Sequence, residues 1–515
     1  MTVFILVAGA FTGPHVWGDT AARLTADGAV VRIAALTGLG GRTGGPGGSG
    51  RPVDLETHID DVLAVIDAVV AEGEPGGEIV LVGHDYGIHP VLGAADRRAG
   101  AIARIVYLDA GMPQDGVPAL AAVPDQRLRE EVAERAAGSG EGAGGGELPP
   151  PDRDAWSRWG STAGLSDAAL DRLTALAAPQ PLGTLLQPLR LTGAVAGVPV
   201  TGVLCTGNGP GVGMLQIMVD VGDRALRALA EVRVAFFELP TGHWPMLSCP
   251  AELAATLIEA AAGAGHRLTS PTDAAEPPAH LRPFLLDVPE RPRERTGNTD
   301  LYPPDGPGPH PAVVFVHGGP VPAEARPTPR DWPTLTGYAR YVAGRGAVGV
   351  TLDHRLRSVA DYGTAAGDVA DAVERVRADP RVDADRVALW FFSGGGPLAA
   401  DWLAKPPAWL RCVAANYPIL APLPSWGLTD TRFNPVRTVS GAGHLPVVLV
   451  RAGREMAEIA ATVEEFLTEA ARCEANVEII DVPEGRHGFE TLDPTDEARE
   501  AVHRAVDTVL ARLKG

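Results

Sequence analysis

The sequence predicts an α/β protein of two domains in tandem, each a mainly parallel sheet flanked by helices, the first with an inserted helical cap. Three observations predict it. Short apolar strands alternate with amphipathic helices through residues 1–265, the alternation lapses between Gly111 and Gly197, and the whole pattern restarts beyond a stretch rich in Pro, Thr, Ser and Ala, His266–Pro278. A chain of 515 residues also exceeds what one hydrophobic core serves. The expected boundaries are a domain over 1–265 with its cap at about 111–197, a linker over 266–280, and a second domain over 281–515.

In the first domain the strand candidates are Val3–Val7, Val30–Ala34, Ile79–Val82, Ile102–Leu108, Val200–Cys205 and Val234–Leu239. Helices are expected over Thr57–Ala71, where Ile59, Val62, Leu63 and Ile66 share one face, and over Ala251–Ala262. Within the cap, a glycine-rich piece, Gly138–Gly146, reads as a loop, and two helices are expected around it. In the second domain the strands are Ala312–Val316, Gly346–Leu352, Arg386–Phe391, Cys412–Ala415, Val447–Val450 and Val477–Val482.

Composition excludes several classes of function. A formal net charge of −20 offers no basic stripe to a nucleic acid. Cys205, Cys249, Cys412 and Cys473 lack the spacing of a zinc site or a disulfide framework, which predicts a reducing compartment. The N-terminal MTVFILVAGA has no basic flank and reads as a first strand. No apolar run reaches the ~20 residues that span a bilayer. The expectation is a cytoplasmic enzyme acting on a small molecule, without metal or organic cofactor; oligomeric state is left open.

The C-terminal half carries the denser motifs. Val387–Phe392 is an apolar strand running into Ser393-Gly394-Gly395-Gly396, the layout of a nucleophile elbow, whose sharp turn crowds the backbone around the serine. Gly395 fits G-x-S-x-G, while Phe391 stands where glycine is usual. Upstream, the strand Val313–Val316 ends in His317-Gly318-Gly319-Pro320, a source of backbone N–H donors for an oxyanion. Gly319 and Gly394 are the expected donors, with Gly318 beside them. Downstream, His487 follows the last strand and is the expected general base. Glu455, after Val447–Val450, is the candidate acid that orients it; its alternative is a surface glutamate opening a helix.

With these motifs and Asp300-Leu-Tyr-Pro303, Asp353-His-Arg-Leu356, Asp368 and Gly485-Arg-His-Gly-Phe489, residues 281–515 resemble the acetylesterase and dienelactone-hydrolase-like branch of the α/β-hydrolase superfamily. The resemblance implies hydrolysis of a carboxylic ester through an acyl-Ser393 intermediate. It also implies that Leu420–His444, with Trp426 and Phe433, lies over the site and helps to choose the substrate.

The first domain has an elbow of another kind. Strand Ile79–Val82 runs into Gly83-His84-Asp85-Tyr86-Gly87, with aspartate at the nucleophile position. A carboxylate can attack an sp³ carbon and form an ester that water then cleaves. At this segment the domain resembles epoxide hydrolases and haloalkane dehalogenases. At Val7–Ala10, Leu36–Gly40, Glu56–Asp60, Tyr107–Asp109 and Leu239–His243 it resembles small plant-type and bacterial ester hydrolases of the same superfamily, which have serine in place of Asp85.

By that resemblance His243 is the water-activating base, and Ala10 and Tyr86 supply the oxyanion N–H groups. The acid has two topological places: after Val200–Cys205, where Asn208 stands, and after Ile102–Leu108, where Asp109 stands as an acid or as a structural residue. The cap, 111–197, has no tyrosine to protonate an opening epoxide; Trp17, Trp156 and Trp159 could line a substrate pocket and donate to a halide, or could simply pack. Ala8 replaces a histidine common before the oxyanion glycine, and Ile88 and His89 replace small residues common after the elbow. A catalytically inactive binding module is therefore the competing expectation. Two weaker signals read as structure: Gly44–Gly50 lacks the GK[ST] of a phosphate loop, and Arg127–Arg135 alternates charge as a solvated helix does.

Overall fold

The computed structural model describes residues 2–40, 52–73, 77–123, 125–138, 146–232, 234–270, 276–423, 426 and 431–514. The glycine-rich stretch 44–50 and most of 138–146 lie outside them. The chain forms two compact units, Met1–Val212 with Val232–Leu268, and Gly213–Glu231 with Thr269–Gly515.

In the first unit Thr2–Val7 pairs in parallel with Val30–Ala34 on one side and Glu78–His84 on the other. Ile102–Leu108, Val200–Cys205 and Ala235–Leu239 extend the sheet in parallel. These strands read as continuous Val/Ile/Leu runs because helices cover both faces; Val3 to Val7 are all buried. The helix Leu55–Glu72 starts on a capping box, with the Asp54 carboxylate accepting from Thr57 N–H, and stops at Gly73 in the left-handed region at φ 64°. Its Ile59, Val62 and Ile66 are buried, as their spacing predicts. His266–Arg267, placed by sequence in the linker, instead adds an antiparallel edge strand, His266 opposite Phe236. Between Ile102–Leu108 and Val200–Cys205 the chain leaves the sheet for the cap, which holds the helices Gln126–Gly138, Asp167–Leu176 and Leu182–Leu186.

The second unit has an eight-stranded sheet. His310–Val316 lies between Val348–Leu352 and Val382–Phe392, and Leu410–Asn416, Val447–Arg454 and Val477–Arg486 follow in parallel. Glu294–Thr296 and Thr299–Tyr302 extend the other edge as antiparallel strands. In both units the predicted catalytic positions fall at the carboxyl ends of parallel strands, where such sheets open a crevice. No helix among the described residues is long and apolar enough to cross a membrane.

Candidate active sites

Each elbow is a strand that turns into a helix through one residue held at positive φ: Asp85 at 49° and Ser393 at 50°. A non-glycine residue pays steric strain there, and the turn lifts its side chain clear of the sheet. The residues around the two turns differ. In the first unit a Cβ on Gly83, two residues before Asp85, would lie 2.6 Å from Ile88 Cα. In the second unit the position two before is Phe391, fully buried in the core, and the residue corresponding to Ile88 is Gly396. A Cβ on Gly396 would lie 2.3 Å from the Ile419 carbonyl oxygen, so the chain after Ser393 packs closely while Phe391 points into the core.

In the second unit the strand ends bring three distant side chains into one line. His487 Nε2 lies 2.7 Å from Ser393 Oγ, and His487 Nδ1 lies 2.8 Å from Glu455 Oε2 and 3.0 Å from Oε1. With Nδ1–H donated to the carboxylate, Nε2 is left to accept the serine proton. Glu455 also accepts from the Met456 N–H at 2.8 Å and its side chain is buried, so it does not wander. Gly318 and Gly319 lie against the elbow: a Cβ on Gly318 would stand 2.9 Å from Ser393 Cβ, and one on Gly394 would stand 2.0 Å from the Gly319 carbonyl oxygen. Only glycines permit this approach. Trp426 and Phe433 pack on Tyr362, at ring separations of 5.7 and 5.6 Å, and the Tyr362 hydroxyl donates to the Gly394 carbonyl. Residues 424, 425 and 427–430 of that segment are outside those described.

In the first unit His243 stands between two carboxyl groups. Its Nδ1 is 2.6 Å from Asp109 Oδ2, and its Nε2 is 3.8 Å from Asp85 Oδ1. Asp85 Oδ2 accepts from the Ala10 N–H at 3.1 Å. Asn208 Nδ2 donates to Asp109 Oδ2 at 2.7 Å, and the Cys205 N–H donates to Asp109 Oδ1 at 3.1 Å. The carboxyl partner of His243 is thus on the strand after the elbow helix, while the place after the next strand holds an amide that supports it. Tyr417 occupies in the second unit the place Asp109 has in the first, also at positive φ (37° against 45°), and lies beside His487 at 4.7 Å. The cap closes over this histidine: a Cβ on Gly160 would lie 2.5 Å from His243 Cγ.

Burial disfavours charge on His243, but the hydrogen bond to Asp109 and the negative charges of Asp109 and Asp85 outweigh it and push its pKa up to about 10. Burial likewise disfavours charge on Asp85, and His243 more than offsets it, holding that carboxyl well below the usual range. At neutral pH His243 is therefore an imidazolium. Because its folded pKa is raised, its contribution to stability is fully present below about pH 6.5 and is lost as pH rises toward about 10. In a ¹³C-histidine titration His243 should remain protonated at about pH 8; Asp85→Asn should lower its midpoint. A neutral ring at that pH in the wild-type protein would contradict the geometry.

Among the tryptophans expected near this site, Trp17 and Trp156 are buried core residues, and Trp156 spends its indole N–H on Thr174 Oγ1 at 3.0 Å. Of the two expectations for Trp156, halide donor or packing, this geometry fits packing. Trp159 is partly buried, its ring 4.6 Å from Phe11. Sequence reasoning passed over Asn208 as a partner of the acid and passed over Tyr362 and Tyr417 altogether. The one signal for Tyr417 was its place at the end of a strand matching the one before Asp109.

Each unit is thus a mainly parallel α/β sheet with an elbow at a strand end, and comparison with known proteins finds likeness over part of the chain. Residues 4–256, just under half of the chain, match the model of the Alpha/beta hydrolase family. A curated relative, the carbendazim hydrolyzing esterase of Nocardioides sp. (strain SG-4G), is 42% identical over 133 residues, 26% of this chain and 51% of the relative. The chain thus spans about half the length of that protein. Among solved structures, an extracellular alpha/beta-hydrolase from a Paenibacillus species is 19% identical and covers 50% of this chain and 99% of its own, with a TM-score of 0.40. Thermogutta terrifontis esterase 2 phosphonylated by cyclosarin is 19% identical over 44% of this chain and 95% of its own, with a TM-score of 0.36.

Proposed function

We propose that the second unit hydrolyses carboxylic esters of small molecules through an acyl-Ser393 intermediate. The observation that carries this reading is the unbroken line from Ser393 Oγ through His487 to Glu455, at 2.7 and 2.8 Å. His487 takes the serine proton as Oγ attacks the ester carbonyl carbon, and the oxyanion draws on the N–H groups of Gly319 and Gly394. The imidazolium then protonates the leaving alcohol. Water repeats the sequence on the acyl-enzyme and releases the acid. The name of the Nocardioides relative, an esterase, supports ester hydrolysis as an activity of the chain. A fluorophosphonate should add one phosphonyl group at Ser393, found by peptide mass analysis. No adduct there, with ester turnover intact, would overturn the proposal.

The first unit supports a second reading, an aspartate-nucleophile hydrolase, because Asp85 Oδ2 is held by the Ala10 N–H while Oδ1 faces His243. Oδ1 attacks an electrophilic sp³ carbon, an epoxide or a halide, and the leaving group departs with its bonding pair: a halide leaves as the free anion, and an epoxide's alkoxide takes a proton from water. Esterification removes the negative charge of Asp85, one of the charges that holds the proton on His243; the ring releases that proton to solvent and becomes a base for water. Water attacks the Asp85 ester carbonyl, the oxyanion sits at the Ala10 and Tyr86 N–H groups, and the alcohol leaves. A single turnover in ¹⁸O-water should place one heavy oxygen in the Asp85 carboxyl. An unlabelled peptide across epoxide and haloalkane substrates would favour the inactive binding module.

A further inference from the structure

Tyr362 opens the helix Tyr362–Arg377, is fully buried, and donates its hydroxyl to the Gly394 carbonyl oxygen at 2.8 Å. Gly394 follows Ser393 and has no Cβ to restrict its torsions. Its backbone also presses on the Gly319 carbonyl, which a Cβ would approach to 2.0 Å. The orientation of the Gly394 N–H is therefore set by what holds the peptide groups on either side of it. On one side is the positive-φ turn at Ser393, and on the other is the Tyr362 hydroxyl. The Tyr362 ring is itself held by Phe433, stacked at 5.6 Å and 30°, and by Trp426 at 5.7 Å and 32°.

We infer that Tyr362 is a positioning residue that aims the Gly394 N–H at the developing oxyanion, and that the Trp426 and Phe433 rings keep it in place. This rests on the acyl-Ser393 reading. Trp426 and Phe433 are thereby coupled to transition-state stabilisation without touching the reacting atoms. The first unit repeats the device with other chemistry. There His58, on the helix Leu55–Glu72, binds the hydroxyl of Tyr86 at 2.8 Å, and Tyr86 is the residue after Asp85. In each unit the helix before the elbow strand is tied to the residue that follows the elbow.

The test is Tyr362→Phe, which removes the hydroxyl and keeps the ring. Losing an oxyanion donor outright costs about 10²–10³ in kcat, so misaiming one should cost roughly tenfold, with KM within about twofold. Active-site titration with a phosphonate ester counts competent Ser393, so turnover is referred to folded enzyme. The discriminating readout is a pair of aryl ketones. A trifluoromethyl ketone adds to serine as a hemiketal oxyanion and should bind roughly tenfold more weakly, while the methyl ketone of the same skeleton, which forms no such adduct, should bind as before. Phe433→Leu should show the same signature to a smaller degree, and it carries the test if Tyr362→Phe does not fold. Unchanged turnover and unchanged trifluoromethyl ketone affinity in these variants would overturn the inference, as would equal weakening of both ketones. Ser393→Ala run alongside separates the levels: loss of activity there with an unaltered Tyr362→Phe overturns this inference alone, whereas retained activity in Ser393→Ala overturns the acyl-serine reading and this one with it.

Discussion

Ser393→Ala is expected to lower ester turnover by about 10⁶-fold, because the members of a nucleophile–base–acid line act as one unit and removing the nucleophile removes the covalent route. Ser393 Oγ is the hydroxyl that His487 Nε2 reaches, at 2.7 Å, so no neighbouring side chain inherits the proton transfer. Substrate binding should persist, since the glycines around the elbow and the Tyr362–Phe433 packing do not depend on the hydroxyl. The measurement is kcat on a short-chain aryl ester, with Asp85→Ala as the companion. Asp85→Ala should leave that activity in place, because it lies in the other site. Turnover that survives Ser393→Ala and disappears in Asp85→Ala would assign ester hydrolysis to the first unit instead.

Glu455→Gln should lower kcat by about 10⁴-fold. The amide keeps the shape of the side chain, but its NH₂ can meet His487 Nδ1 only as a donor, which favours the tautomer whose Nε2 carries a proton and cannot accept one from Ser393. KM should change little, because Glu455 touches the histidine and the Met456 N–H. Glu455→Asp shortens the reach by one methylene and should be intermediate. If Glu455→Gln retained near wild-type kcat, the acid would have to be sought elsewhere. The buried Glu490, which accepts from Asn416 Nδ2 at 2.7 Å and from the Tyr338 hydroxyl at 3.1 Å, would be the first residue to examine.

Much of both sites was legible in the chain because elbows are local objects. A parallel strand, a residue forced to positive φ and small residues after it occupy one continuous segment, so Ser393 and Asp85 could be read without knowing the fold. The histidines were legible because each follows the last parallel strand that the apolar runs mark out. The extra edge strand His266–Arg267 was hidden because two exposed polar residues have no alternation to display.

By itself the sequence determined the α/β class and picked out the candidate residue at each elbow and the candidate histidine that follows each set of parallel strands. Only the tertiary structure decided which carboxyl meets each histidine. In the second unit it comes from Glu455, after the strand Val447–Arg454, and in the first from Asp109, after Ile102–Leu108, with Asn208 supporting it from the next strand end. The physical reason is that neighbouring parallel strands end side by side, about 5 Å apart. A side chain on either of two strand ends can then reach the same imidazole, and sequence order does not say which one does.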